Sequence, residues 1–305
     1  MHLKEIKTEK LRWINISKPD RAEMNFLKKE FGFHKADLDA CLDSVQRPRL
    51  DEYKNYLFLS INFPVYNKTT REVRPTELDL FIGKDFLVSA HQGKLTPLIE
   101  LFDACRRDTE TCATYLEKPD TLINQILGRL LQDSFPIIET IGRDIDRVQG
   151  SMFNRNEHAI IRDILSVKRN IVNFRRIMQG HKVMIRRLRD KQSVFCAGVC
   201  LDLYFEKLVD DTKEIWDLLT NYMDTIDAIH ETNESLVSFQ LNNIMKLLTV
   251  ISVIMLPTGL VANVFGMNTE HTPILGWTGD FWVVIGLMIG VSVLMVFWFR
   301  KKRWL

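Results

Sequence analysis

Neutral polar and small residues recur every seven positions along an apolar stretch near the C-terminus. One series reads Asn242, Thr249, Leu256 and Asn263, and its neighbour reads Met245, Ser252, Gly259 and Gly266. A seven-residue step keeps side chains on one face of an α-helix, so the two series form a single stripe, which we call the polar lane. Lipid cannot satisfy amide side chains such as that of Asn263, so this face of the helix should meet other protein or water.

Carboxylates continue this stripe toward the N-terminus. The acidic lane consists of Asp217, Asp224 and Glu231, and the same step leads on through Ser238 to Met245. Identical acidic faces would repel each other in a dry seam, whereas a ring of acids around water concentrates cations. Two alternatives stay open from these residues alone. Small residues also let membrane helices pack closely, and charged residues also form the solvated outer face of a helix.

Two uncharged stretches are long enough to cross a bilayer. Residues 247–265 and 281–299 lack charged side chains, and each has about the 20 residues that span a hydrocarbon core. The loop 266–280 between them has no Lys or Arg, whereas the tail 300–305 is basic, and basic flanks stay on the cytoplasmic side. We predict two transmembrane helices in the cell (inner) membrane, an outer loop, and both termini in the cytoplasm.

A single long helix is predicted to carry both lanes. No Gly or Pro interrupts the chain from Val199 until Pro257, which lies inside the first span. A helix over residues 199–265 is far longer than helices of ordinary globular proteins and needs partners along its length. We interpret it as a combined stalk and pore helix.

The N-terminal part mixes strand and helix signals. Short runs rich in β-branched and aromatic residues predict strands at 11–16, 56–61, 77–82 and 86–88. Apolar residues spaced by three and four predict helices from Pro19 to Gly32 and from His34 to Leu42. These signals predict an α+β cytoplasmic domain over residues 1–118.

Residues 119–198 are predicted to form a cytoplasmic helical hairpin. Their apolar residues follow a helical period in two long segments that are separated near residues 154–157. Pro136 is expected to kink the first segment, because proline removes a helical hydrogen bond.

Composition argues against several functional classes. The chain has 41 basic and 39 acidic residues, so no charge excess draws it to nucleic acid. Five scattered cysteines fit reduced cytosolic thiols better than a disulfide framework. We find no nucleophile with a plausible base and no phosphate-binding loop, so neither an enzyme nor an ATP-driven pump is predicted.

The outer end of the polar lane reads Gly266-Met267-Asn268-Thr269-Glu270, and here the chain resembles the CorA family of magnesium channels. The resemblance includes Met245-Lys246-Leu247-Leu248-Thr249, Pro257, the two C-terminal spans and the basic ending. It extends to the N-terminal half through Trp13-Ile14-Asn15-Ile16 and Gln46-Arg47-Pro48-Arg49. The resemblance thus covers nearly the whole chain.

This resemblance implies a funnel-shaped homopentamer in the lipid bilayer, with five copies of the long helix around a pore. Mg²⁺ is implied as both the transported and the regulatory ion, with Co²⁺ or Ni²⁺ as possible secondary ions. Cations are then the only small substrates, and the partners are further copies of the chain and lipid.

The family pattern also implies roles for individual residues. Gly266, Met267 and Asn268 would form the outer selectivity ring, and Glu270 would attract cations to the mouth. Asn242 would form an inner polar ring. Leu248 and Leu256 would form the apolar constriction that closes the pore.

Three positions depart from the family pattern. Gly259 stands where the family often has Thr, and Asn263 stands where it often has Gly. An ungapped match puts Lys207 at the position of a carboxylate that senses cytosolic Mg²⁺ on the long helix. We expect a sensor that is weak or rebuilt, with Glu206, Asp210 or Asp211 as its candidate ligands.

Two other functions compete with a magnesium channel. A zinc transporter of the same superfamily is the nearer one, although its branch commonly varies the middle residue of Gly-Met-Asn. The other is a membrane-anchored binding module that transports nothing.

Overall fold

The computed structural model describes residues 2–42, 47–152, 157–191, 195, 202–267 and 279–302. In these residues the strands are β1 Leu3–Lys7, β2 Arg12–Ser17, β3 Arg49–Glu52, β4 Leu57–Asn67, β5 Glu72–Ile82 and β6 Phe86–His91. The first eight helices are α1 Arg21–Phe31, α2 Lys35–Ala40, α3 Thr96–Arg107, α4 Thr109–Tyr115, α5 Pro119–Gln132, α6 Ser134–Ser151, α7 Glu157–Met178 and α8 His181–Asp190. The last two are α9 Asp202–Phe265 and α10 Asp280–Lys301. The contacts divide the chain into two compact units, Met1–His230 and Glu231–Leu305.

The first unit is built on one mixed sheet with the strand order β1-β2-β6-β5-β4-β3. Strands β2 and β6 pair in parallel, and the other neighbours pair antiparallel. The long β4–β5 hairpin turns at Asn67, whose side-chain oxygen accepts hydrogen bonds from the backbone N–H groups of Thr69 and Thr70. The predicted α+β class is confirmed.

Helices cover both faces of this sheet, which explains why β4 is apolar almost throughout. Leu57, Leu59 and Ile61 point into a large core shared with α3 and α5 to α9, whereas Phe58 points into a smaller core under α1 and α2. Successive strand residues point to opposite faces, so a strand buried on both sides needs apolar residues at most positions. The sheet is therefore the middle of three layers.

Helix α1 has the ends that its sequence predicts. The side chains of Asp20 and Glu23 cap its first turn reciprocally, and Gly32 ends it with φ of 70°. A left-handed backbone is easily adopted by glycine, which has no Cβ. The helix predicted between Pro19 and Gly32 is confirmed.

The segments predicted as two long helices in residues 119–191 are each divided into two, so this part of the prediction is wrong. Pro136 lies in the first turn of α6, where its missing N–H is tolerated, and the chain breaks just before it instead of kinking. The second break falls at Gly180. A Cβ on Gly180 would lie 3.2 Å from Pro48, so glycine permits a close approach of the chain there.

Two carboxylates are buried on the face of the sheet that α1 and α2 cover. Asp79 and Glu77 are next-but-one neighbours on β5 and share the face of the sheet that carries Phe81. Ser60 donates a hydrogen bond of 2.7 Å to Glu77. Burial, followed by the charge of Glu77, raises the pKa of Asp79 to about 7. Asp79 is therefore a buried acid that titrates near neutrality.

This raised pKa predicts how stability depends on pH. The native state holds the Asp79 proton more tightly than the unfolded chain, so the stabilisation is fully present below the unfolded pKa and is lost as pH rises through the native pKa. Between about pH 4 and pH 7, the unfolding free energy of the native chain relative to Asp79→Asn should fall by about 1 kcal/mol per pH unit. Denaturant titrations followed by tryptophan fluorescence measure this difference.

The exposed Asp85 offers a matched control, since Asp85→Asn removes a carboxylate from the surface of the same sheet. Its pH profile should run parallel to that of the native chain. A parallel profile for Asp79→Asn as well would contradict the prediction.

Candidate functional site

The second unit contains the membrane half of α9 together with α10. Both helices are long and apolar enough to cross a membrane, and their membrane segments are scarcely buried in the single chain. Pro257 lies inside α9 without ending it. The predicted pair of C-terminal membrane helices is confirmed at this level of length and composition.

The polar lane lies on an exposed face of α9. The exposed members of the lane are Asn242, Met245, Thr249, Ser252, Leu256 and Asn263. Leu248, which the family resemblance assigns to the constriction, is exposed as well. Gly259 is half-buried, and a Cβ placed on it would meet nothing within 4 Å. The face that carries the lane is therefore open in the single chain.

The opposite face of α9 packs against α10. Val250 is buried, while Ile254, Thr258, Val261 and Phe265 are less exposed than the lane. At 3.6 residues per turn, these side chains lie on the reverse side of the helix from the lane. The Thr258 hydroxyl oxygen lies 3.2 Å from that of Ser292 on α10, which fixes which face of α9 meets its partner.

The hydroxyl groups of the lane bond back to their own helix. Thr249 donates to the carbonyl of Met245 at 2.8 Å, and Ser252 donates to the carbonyl of Leu248 at 2.9 Å. Each hydroxyl oxygen retains lone pairs that can accept a further hydrogen bond. The lane thus presents neutral acceptors outward.

The acidic lane is also exposed. Asp217, Asp224 and Glu231 are exposed on α9, and none forms an ion pair with another described residue. By contrast, Asp227 faces α7 and pairs with Lys168 at 2.6 Å. The three carboxylates of the acidic lane are therefore available to solvent or to another copy of the chain.

The three candidate sensor residues do not converge on one site. Glu206 pairs with Arg189 on α8, Asp210 is exposed, and Asp211 accepts a hydrogen bond of 3.2 Å from Gln132 on α5. Among the residues that the structure describes, no three His, Cys, Asp or Glu side chains could hold a metal ion together. A metal site at these carboxylates would need ligands from another copy of the chain.

Asp211 and Lys207 instead line a cleft of about 500 Å³ in the first unit. Glu100 and Asp133 line it too, and the pKa of Asp133 is raised by burial and by the charge of Glu100. Sequence analysis missed both acids, because they precede α9 by about 70 residues or more and carry no motif. It also missed the contact between Thr258 and Ser292, which only the packing of the two spans brings together.

The outer end of the lane is described in part. Gly266 follows α9, and its N–H donates to the carbonyl of Ala262 at 2.9 Å. Met267 is exposed. Asn268 and Glu270, predicted for the selectivity ring and the mouth, lie outside the described residues.

A large α+β unit followed by two membrane helices, the first with one polar face, defines a two-span membrane protein with a soluble N-terminal part. The model of the family described as "CorA-like Mg2+ transporter protein" matches residues 8–301, and the chain belongs to this family. It is a family of transporters and not of enzymes.

Known relatives agree with this assignment. The chain is 29% identical to the cobalt/magnesium transport protein CorA of Thermotoga maritima over 96% of its length and 83% of that relative. Its fold matches the complete CorA magnesium transporter of Methanocaldococcus jannaschii with a TM-score of 0.86 at 21% identity, covering 99% and 95% of the two chains. The cytoplasmic domain of ZntB from Vibrio parahaemolyticus is a more distant match, with a TM-score of 0.62 at 12% identity over 76% of this chain and 89% of that one.

The exposed lane predicts a pattern of water access in the membrane. In a background whose native cysteines are replaced by serine, and in Mg²⁺-free buffer so that the path is not closed by internal Mg²⁺, Ser252→Cys should react with a charged, membrane-impermeant thiol reagent. Ile254→Cys, on the face toward α10, and Leu294→Cys, on the exposed surface of α10, should stay unmodified in a bilayer, because a charged reagent does not enter packed protein or lipid. Mass spectrometry of protein in liposomes measures the modified fraction.

Leu294→Cys is the informative control, since both it and Ser252→Cys are exposed in the single chain. Equal protection of both positions would mean that the lane meets lipid or a dry protein seam and not water.

Proposed function

We propose that this chain is one subunit of a passive channel for hydrated Mg²⁺, with Co²⁺ or Ni²⁺ as secondary ions. Five copies of α9 surround the axis, and ions enter the cytoplasm through the path that the polar lanes line. The chain sits in the cell (inner) membrane with both termini in the cytoplasm, an orientation supported by Arg300, Lys301 and Lys302 directly after the second span.

The observation that carries this proposal is the opposition of the two faces of α9 in the membrane. One face meets α10 through Val250, Ile254 and Thr258, and the other presents Asn242, Ser252 and Asn263 with no cover from the same chain. Lipid cannot satisfy the amide of Asn263, which lies inside the first span. A ring with α10 outside and the lane inside gives this amide water as a partner.

Neutral oxygens suit a hydrated magnesium ion. Mg²⁺ gives up its waters reluctantly, so a site that holds the hydrated ion avoids most of the dehydration cost and still releases it. Carboxylates inside the membrane would bind the ion more tightly and slow its exit. Inward movement needs no ATP, because a divalent ion gains about 4.6 kcal/mol per 100 mV of inside-negative potential.

Different levels of the path have different roles in this proposal. Gly266, Met267 and Asn268 form the outer selectivity ring, and Glu270 raises the cation concentration at the mouth. Leu248 and Leu256, both exposed toward the proposed axis, close the path by excluding water. Asn242 forms a polar ring at the inner side.

The acidic lane lies on the cytoplasmic side of this path. Five copies each of Asp217, Asp224 and Glu231 around a wet axis would hold a local excess of cations. Their lack of partners within one chain supports this role.

Regulation by cytosolic Mg²⁺ is proposed to act between copies of the chain. Asp210 and Asp211 on α9 supply one side of a site that a neighbouring copy completes, since the carboxylates of one chain do not converge. Glu206 is a weaker candidate because Arg189 already neutralises it.

Ion flux tests the transport proposal directly. Purified protein in liposomes loaded with a Mg²⁺-sensitive dye should conduct Mg²⁺ down an inside-negative potential, and Asn268→Ala should lower the rate at least about tenfold, since it removes ring amides that face the ion's water shell. Asn25→Ala, on the exposed face of α1, should leave the rate unchanged.

The ion that flows separates the competing functions. Zn²⁺ flux without Mg²⁺ flux would assign the chain to zinc transport. No flux of either ion, from protein shown to be inserted in the bilayer, would leave a membrane-anchored binding module.

Closure by internal Mg²⁺ tests the proposed sensor. The double substitution Asp210→Ala with Asp211→Ala should shift the internal Mg²⁺ concentration that halves the flux upward by about tenfold, because a divalent site loses its carboxylates. Glu139→Ala, an exposed carboxylate on α6, serves as the control. An unchanged half-closing concentration in the double variant would rule out these two residues.

A further inference from the structure

The two membrane helices of one chain meet through a pair of hydroxyl groups. The Oγ1 atom of Thr258 on α9 lies 3.2 Å from the Oγ atom of Ser292 on α10. Thr258 also bonds to the carbonyl of Ile254 at 2.8 Å, and Ser292 bonds to that of Met288 at 2.9 Å. Each hydroxyl has one proton, so a hydrogen bond across the helix pair requires Thr258 or Ser292 to turn its proton away from, or share it with, the carbonyl of its own helix.

Apolar packing around this pair is loose. A groove of about 270 Å³ borders Thr258 and Ser292 and is lined by the aliphatic side chains of Ile285, Ile289 and Val293 and by Met288. Apolar contacts are non-directional, and a groove of this size leaves them incomplete. The hydroxyl contact, which depends on direction, therefore does most to define how α9 is turned about its own axis relative to α10.

The rotation of α9 matters because the polar lane lies on the face of α9 opposite the face that meets α10. A turn of one residue position, about 100°, would replace lane residues by Met255 or Leu260 at the proposed axis. Both of these neighbours are apolar and exposed in the single chain. A rotation of this size thus exchanges a polar wall for an apolar one.

We propose that Thr258 and Ser292 are positioning residues for conduction: their hydroxyl contact sets the rotation of α9 and so keeps the polar lane turned toward the ion path. The inference rests on the proposed channel function. In this proposal, neither Thr258 nor Ser292 contacts the ion. It predicts that removing one hydroxyl alters which positions of α9 meet water, in addition to altering flux.

The test measures water access on and beside the lane. Thiol modification rates are compared for Ser252→Cys, Met255→Cys and Leu260→Cys in liposomes, each with and without Thr258→Val. This substitution keeps the branched shape and removes the hydroxyl. The modification rate at 255 or 260 relative to 252 should rise about threefold, the size typical of losing a hydrogen bond between membrane helices. Ser292→Ala should act alike, and Thr258→Ser should restore the native ratio.

Controls separate this proposal from a general loss of structure and from failure of the proposed function. Thr225→Val removes a hydroxyl of α9 that bonds to the carbonyl of Asn221 in its own helix, and it should change neither ratio nor flux. If Thr258→Val lowers Mg²⁺ flux only in proportion to the amount of assembled protein, with the ratio unchanged, the pair is structural and the proposal is overturned. If the protein without Thr258→Val conducts no Mg²⁺, the channel function itself fails.

Discussion

The structure of the membrane half depends on the inability of a bilayer to satisfy polar groups. Asn263 carries an amide inside the first span that lipid leaves without a partner, and the described residues of one chain leave its face of α9 exposed. The same helix uses its other face to bind α10. These two demands cannot be met by an isolated helix pair in lipid. The proposed assembly, in which several copies turn the polar lane toward a common wet axis, would meet both demands, and the chain belongs to a family of Mg²⁺ transporters.

The soluble unit follows ordinary packing rules with one local exception. Its sheet is covered on both faces, and its two apolar clusters account for the largely hydrophobic sequence of β4. The exception is the carboxylate pair of Glu77 and Asp79, which is buried on the face of the sheet that α1 and α2 cover. Two acids this close inside a protein do not both ionise easily, so the pair holds a proton at pH values where surface carboxylates have lost theirs.

The sequence predicted best those elements whose signal is local and repeated. The course of α9 from residue 202, both membrane spans and the capped helix α1 were predictable because each depends on neighbouring residues. Strands β1 and β3 were missed, since Leu3–Lys7 is largely charged and Arg49–Glu52 has a single apolar residue. These edge strands are defined by the partner they pair with. The cleft lined by Glu100 and Asp133 and the contact of Thr258 with Ser292 could not be predicted either, because each depends on parts of the chain that are distant in sequence.

Pro257 gives the first membrane helix a site of low bending stiffness. Proline has no N–H, so the carbonyl of Val253, one turn earlier, has no backbone donor in the helix. Flexing the span here breaks no hydrogen bond that the straight helix would have kept. The outer segment, which ends at Gly266, can tilt relative to the inner segment that bears Leu248 while both stay helical. In the proposed channel, such a tilt would widen or narrow the outer aperture without unwinding the inner part of the helix.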